Sequence, residues 1–193
     1  LLGLPLGRPI IGVPGTLRPV KGHEFFLRAL PLVRQQVPDV FAAITGDGEE
    51  KYRQHLHQLV RELGVDDCVR FLGTVDDMPA FYRACDVICI PSRSEPFGRT
   101  AIEAMAVGTP VVATKVGGLA ETIGDAESGL LVRYGDRGHL AQCLVLTIID
   151  QSLRQALTEQ ASLAVRQHFS SSVFFDSFAR LLEPKEKSQT RRR

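Results

Sequence analysis

Short runs of apolar residues recur along this chain, and each is followed by a stretch in which apolar positions return at helical spacing. Ile10 to Pro14, Val40 to Thr45, Cys68 to Leu72, Val87 to Ile90, Val111 to Thr114 and Gly129 to Val132 read as strands. Phe25, Phe26, Ala29, Leu30 and Val33 mark a helix from Gly22 to Val37 that Pro38 ends. Tyr52, Leu56, Leu59, Val60 and Leu63 mark an amphipathic helix from Glu49 to Leu63, with Gly64 as its stop. Shorter helices are predicted from Met78 to Ala84, after Gly98, and over "VGGLAETI". Strands that are apolar throughout and alternate with helices belong to a parallel sheet covered on both faces. The predicted fold class is therefore α/β, a doubly wound, Rossmann-like parallel sheet. Right-handed crossovers put ligands at the carboxyl ends of such strands, and the loops after Gly15, Gly46, Gly73, Pro91 and Thr114 all fall on that edge.

Beyond Val132 the pattern becomes helical, from Arg137 to Ile149, Ser152 to Gln167 and Ser171 to Leu182. The last of these carries Phe174, Phe175, Phe178, Leu181 and Leu182 on one face, a stripe that suits packing. The tail "EPKEKSQTRRR" has no apolar residue and is expected to be disordered and solvated, with Arg191 to Arg193 as its only handle for anionic lipid.

Composition narrows the options. A chain of 193 residues suits one sizeable α/β domain, and the balance of 44% hydrophobic and 23% charged residues is that of a globular protein. The net charge of +1 gives no general attraction to nucleic acid, so any anion site must be local. Cys68, Cys85, Cys89 and Cys143 sit in apolar stretches without CxxC pairing, which favours buried reduced thiols and a cytoplasmic setting. No signal peptide and no apolar run of about 18 residues is present. The chain enters its first strand almost at once and lacks an initiating Met, so a piece of a longer protein is expected.

The densest chemistry lies in "PSRSEPFGRTAIEAMAVGTP", Pro91 to Pro110. Glu95 precedes a Pro96-Phe97-Gly98 turn, and Glu103 falls about one turn into the helix that follows. The amides of Gly98, Arg99 and Thr100 lie between the two acids. A helix start offers unpaired N–H donors and the positive end of the macrodipole, which suits phosphate, while carboxylates accept hydrogen bonds from sugar hydroxyls. A nucleotide sugar has this layout of ribose, diphosphate and sugar. As residues alone, the two glutamates read equally as a loop carboxylate and an ordinary acid near a helix start. The first loop, "GTLRPVKG", offers a glycine for close approach, then Arg18 and Lys21, either to hold a phosphate or as solvated charges. A cation about 4 Å from an anion in a partly shielded cleft gains on the order of 4 kcal/mol before desolvation. Walker and GxGxxG loops are absent. His23 reads as a solvated helix-start histidine or a neighbour of the phosphates, and the five histidines share no convincing metal spacing. Gly117 and Gly118 suit either a ligand contact or close packing.

"EPFGRTAIEAMAVGTPVVATKVGG" closely resembles the signature of the retaining glycosyltransferase family 4, whose members have the two-domain GT-B fold. "GTLRPVKGHE", "AITGDGEE", "VRFLGTVDDMPAFYRACDVICIPS" and "SGLLV" match further blocks in the same order, covering roughly Pro9 to Asp150. The resemblance implies the C-terminal, donor-binding half of such an enzyme. Residues 1–170 would form the nucleotide-sugar domain, 171–183 a helix crossing toward an N-terminal, acceptor-binding half, and 184–193 the charged tail.

It also implies roles. Lys21 resembles the lysine on the donor diphosphate, with Gly98, Arg99 and Thr100 the helix start over the same group. Glu95 resembles the first glutamate of the signature, near the transferred sugar, and Phe97 and Gly98 its backbone contacts. Glu103 resembles the glutamate on the ribose diol, and Val75 the position whose backbone meets the base. The family often has arginine where this chain has Thr16, a loss that Arg18 or Arg99 could offset in part.

The implied reaction transfers a sugar with retention from a nucleotide-diphosphate sugar to a sugar or lipid-linked glycan. Lys21 and the helix start would stabilise charge on the leaving diphosphate, without metal or cofactor. Glu95 would position substrate, with a nucleophilic role the lesser alternative. Peripheral association with the inner face of a membrane belongs to the same picture. The rival functions are a sugar-nucleotide epimerase of the same fold and a binding module that has lost transfer.

Overall fold

Successive residues of a strand face opposite sides of its sheet, so strands apolar at every position need cover on both sides. In the computed structural model, which describes residues 3–170 and 172–173, that cover is present. Six strands, β1 (Ile10–Pro14), β2 (Phe41–Thr45), β3 (Val69–Gly73), β4 (Val87–Ile90), β5 (Val111–Thr114) and β6 (Leu130–Val132), run parallel in the order β3-β2-β1-β4-β5-β6. The helices are α1 (His23–Gln36), α2 (Glu50–Glu62), α3 (Met78–Arg83), α4 (Arg99–Ala106), α5 (Gly118–Thr122), α6 (Arg137–Ile149) and α7 (Gln151–His168). Helices α1, α2 and α6 close one face over Ile11, Val13, Ile44, Val87, Cys89 and Val112. Helices α3, α4, α5 and α7 close the other over Ile10, Ala43, Ile88, Ile90 and Ala113. The doubly wound expectation holds, and element ends fall within a residue or two of those predicted.

Chain order fixes where a ligand goes. From β1 the chain winds outward through β2 to β3, then crosses back to place β4 against the other side of β1, with Ile11 opposite Val87 and Gly12 opposite Ile88. The connections leaving β1 and β4 depart to opposite faces, which opens a crevice at their carboxyl ends. The loops over 15–22 and 91–98 flank that crevice.

All four cysteines are buried and unbridged. Burial pushes the Cys85 thiol up to about 12 and that of Cys143 up to about 11. Among the described residues no helix is long and apolar enough to cross a membrane. The helix expected over 171–182, apart from Ser172 and Val173, and the tail 184–193 lie outside the described residues.

Candidate functional site

The helix starts divide into two kinds. Asp77, Asp136 and Asp150 cap α3, α6 and α7, each accepting a first-turn amide at 2.9 Å. By contrast, α1 and α4 are entered through Gly22 and Gly98, both left-handed (φ 72° and 87°), and no side chain caps them. In α4 the amides of Gly98, Arg99 and Thr100 have no partner among the described residues. Such donors can meet water or an anion.

Lys21 ends the short 3-10 turn Pro19–Lys21 after β1, and Glu95 lies in the loop after β4. Although 74 positions apart, they meet at the crevice: Lys21 Nζ donates to Glu95 Oε2 at 2.7 Å, with Ser92 Oγ 3.4 Å from the same oxygen. Their side chains are 28% and 13% exposed, so the pair is sheltered but open to an entering ligand. The two loops are stitched together by Arg93 N donating to Val20 O at 2.8 Å. Gly22 packs so closely on Pro91 that a Cβ there would lie 1.8 Å from the Pro91 carbonyl oxygen.

Glu103, one turn into α4, has separate partners. The Tyr82 hydroxyl of α3 donates to Oε2 at 2.8 Å, and Arg99 Nε lies 3.3 Å from Oε1. The segment between the acids is clamped by α5. Gly118 N donates to Glu95 O at 2.8 Å, Thr122 Oγ1 donates to Phe97 O at 3.0 Å, and a Cβ on Gly118 would fall 2.5 Å from Phe97 Cα. Close packing is thus the observed role of the Gly117-Gly118 pair. The Phe97 ring is exposed beside the crevice.

The remaining candidates line open grooves. Thr16 and Arg18 are exposed and line an open groove of about 620 Å³ with Leu17, Glu49 and Tyr52. Val75 is half-buried past the end of β3, in a groove with Leu72 and Ala84.

His23 corrects an expectation. It is 1% exposed rather than solvated, and neither ring nitrogen has a hydrogen-bond partner among the described residues. Burial lowers its pKa to about 4, with the Lys21 charge acting the same way, while the Gly15 carbonyl, too poorly placed for a hydrogen bond, pulls against them. It is a neutral imidazole beneath the Lys21 loop. Sequence reasoning also missed Tyr82 and Thr122. The hydroxyl of Tyr82, set in the apolar stretch "AFYRA", was the available signal, because a buried tyrosine needs a partner.

This edge pairs a cation and free amides, fit for an anion, with two carboxylates fit for hydroxyl groups. Fold and edge together define the class: a doubly wound, Rossmann-like unit of the GT-B type. The chain belongs to the group 1 glycosyl transferases, whose family model matches residues 2–163. It is 39% identical over 170 residues to the D-inositol 3-phosphate glycosyltransferase of Salinispora arenicola, covering 83% of this chain and 38% of that protein. It is 35% identical to the lipopolysaccharide core biosynthesis glycosyltransferase LpsE of Rhizobium meliloti, covering 95% and 52%. The chain therefore spans about half or less of the length of these relatives. Among solved structures, Anabaena HepE in complex with UDP and glucose superposes with a TM-score of 0.85 at 32% identity, covering 91% of this chain and 48% of that one. The C-terminal domain of the group 1 protein LpcC from Francisella tularensis gives 0.77 at 31% identity, covering 84% and 87%.

Proposed function

We propose that this chain binds a nucleotide-diphosphate sugar and, within a complete enzyme, hands the sugar to an acceptor with retention of configuration. The observation that carries this is the Lys21–Glu95 pair at the β1/β4 switch point, beside the uncapped start of α4. The diphosphate takes Lys21 and the amides of Gly98, Arg99 and Thr100. Glu95 takes hydroxyls of the transferred sugar, with the Phe97 and Gly98 backbone alongside. Glu103 takes the ribose and the Val75 backbone the base, while Thr16 and Arg18 border the diphosphate end.

As the bond from the anomeric carbon to the phosphate oxygen breaks, negative charge collects on the diphosphate. Lys21 and the helix start stabilise that charge more strongly than they do the bound donor, which is what accelerates the step. The leaving phosphate oxygen accepts the acceptor's proton, so no metal or resident cofactor enters this reading. The acceptor, a sugar or a lipid-linked glycan, is bound by the other half of the enzyme. The cysteine chemistry suits a cytoplasmic setting, with peripheral contact at the inner face of a membrane. Alone, the chain supplies one substrate's site, and binding without transfer is expected. UDP is a fitting first ligand, because HepE has been solved with it.

The test is a thermal-shift screen of nucleoside diphosphates and their sugars against the chain and its Lys21→Ala variant. A ligand at about 100 times its Kd adds about 2.7 kcal/mol, a shift of several degrees. The reading fails if no nucleotide moves the melting point at millimolar concentration, or if Lys21→Ala responds as the parent does.

A further inference from the structure

Tyr82 is 2% exposed, at a place in α3 where phenylalanine would fill the same core. Its hydroxyl nevertheless reaches across to a different helix and donates to Glu103 Oε2 at 2.8 Å. The exposed Arg99 guanidinium sits 3.3 Å from the other oxygen as an ion pair without a hydrogen bond, so Tyr82 is the one hydrogen-bond donor that holds the carboxylate among the described residues, and both oxygens keep lone-pair directions open. The Glu103 side chain is 43% exposed, which leaves those directions accessible at the crevice. Two acceptors side by side on a carboxylate held by Tyr82 match two neighbouring hydroxyls.

We propose that Tyr82 is a positioning residue that holds Glu103 for a vicinal diol, and that this pair makes the chain select ribonucleoside diphosphates over their 2′-deoxy counterparts. The inference rests on the assignment of Glu103 to the ribose. A carboxylate already held by Tyr82 loses little rotamer freedom when the diol arrives, whereas a free one would be ordered at that moment. Removing the 2′-hydroxyl leaves one fixed acceptor without its partner. Buried sites of this kind discriminate by about 10⁴-fold; here water refills part of the gap, so roughly 10- to 100-fold is expected. Burial, and then the bond to Glu103, hold the tyrosine hydroxyl well above its usual range, so it remains a donor at working pH.

The experiment measures calorimetric affinities of the 193-residue chain for UDP and 2′-deoxy-UDP, or for the GDP or ADP pair where that base binds tighter. The parent and Tyr82→Phe, which keeps the ring, are compared. The parent is expected to prefer the ribonucleotide at least 10-fold. Tyr82→Phe should reduce that ratio about 3- to 10-fold with little change in deoxynucleotide affinity. Equal ratios in the two proteins, or equal weakening of both ligands, would make Tyr82 a packing residue and overturn the proposal. If Tyr82→Phe does not fold, fluorotyrosine incorporation replaces it as the test. That substitution makes the hydroxyl a stronger donor at nearly the same size, and an unmoved ratio is again the refuting result. A parent that binds both sugars equally refutes the selectivity while leaving the diphosphate site intact, whereas one that binds no ribonucleotide overturns both readings.

Discussion

Replacing Gly22 by alanine isolates the joint between the two loops that carry Lys21 and Glu95. The substitution has two costs. An alanine at φ 72° is strained by about 1 kcal/mol. Its Cβ would also lie 1.8 Å from Pro91 O and 2.7 Å from Pro91 C, and these are backbone atoms of a buried residue that cannot swing aside as a flexible side chain would. Overpacking of that kind costs about 1–3 kcal/mol. Gly108 supplies the control, because its φ of 83° carries the same conformational penalty and a Cβ there would meet nothing within 4 Å. Urea and thermal unfolding should therefore place Gly108→Ala about 1 kcal/mol below the parent, a fall of roughly 2–4 °C. Gly22→Ala should lie about 1–3 kcal/mol lower again and should lose UDP affinity about 10-fold, because relieving the clash moves the Lys21 loop away from Glu95. Equal destabilisation by the two alanines, with unaltered nucleotide binding in Gly22→Ala, would refute the account of the joint.

Lys21→Ala removes a charge-assisted contact of about 1.5–3 kcal/mol, so diphosphate affinity should drop about 10- to 100-fold by calorimetry. Glu95→Gln should instead narrow the difference in affinity between UDP and a UDP-sugar; unchanged values in both variants would remove the pair from the site. His23, with its pKa lowered to about 4, stays neutral in the folded protein while the unfolded chain takes up a proton near 6.5. The unfolded state therefore binds more protons between these values, and stability rises with pH from about 4 to 6.5, by at most about 3 kcal/mol, and is lost as pH falls through that window. His23→Leu should flatten this part of the urea-midpoint profile, and a profile as steep as the parent's would contradict the burial argument. The four thiols, buried and raised, should resist iodoacetamide at pH 8 in the native protein and react fully once it is unfolded, as counted by mass.

Strand and helix order was legible because five of the six strands are buried almost throughout, as a covered parallel sheet requires, while the edge strand β3 carries the exposed Arg70. The candidate edge was legible for the same reason, since doubly wound topology sends every βα loop to one side. Contacts across the sheet were not legible. Nothing local tells that Tyr82 would lie against Glu103, or that the α5 glycines would clamp the Glu95 loop, because these partners come from separate helices brought together by the core. His23 was misread because helix-start polar residues usually face solvent. Here the left-handed Gly22 and its contact with Pro91 turn the first turn of α1 inward.

The resting contact between Lys21 and Glu95 has a bearing on how a donor would enter. One of the lysine's three donors meets the carboxylate at 2.7 Å, and a lone diphosphate that draws the ammonium toward itself would leave Glu95 less compensated in a site only 13% exposed. Breaking a sheltered pair by removing one partner is costly for the charge that remains. A nucleotide sugar avoids that cost, because it brings phosphate oxygens for the lysine together with hydroxyl donors for the glutamate. The exchange is then favourable for the whole donor and less so for its nucleotide part, so the pair would discriminate in favour of intact donor over the diphosphate product. On this argument Glu95→Gln, which relieves the uncompensated charge, should strengthen UDP binding relative to UDP-sugar, and calorimetry on both ligands decides it.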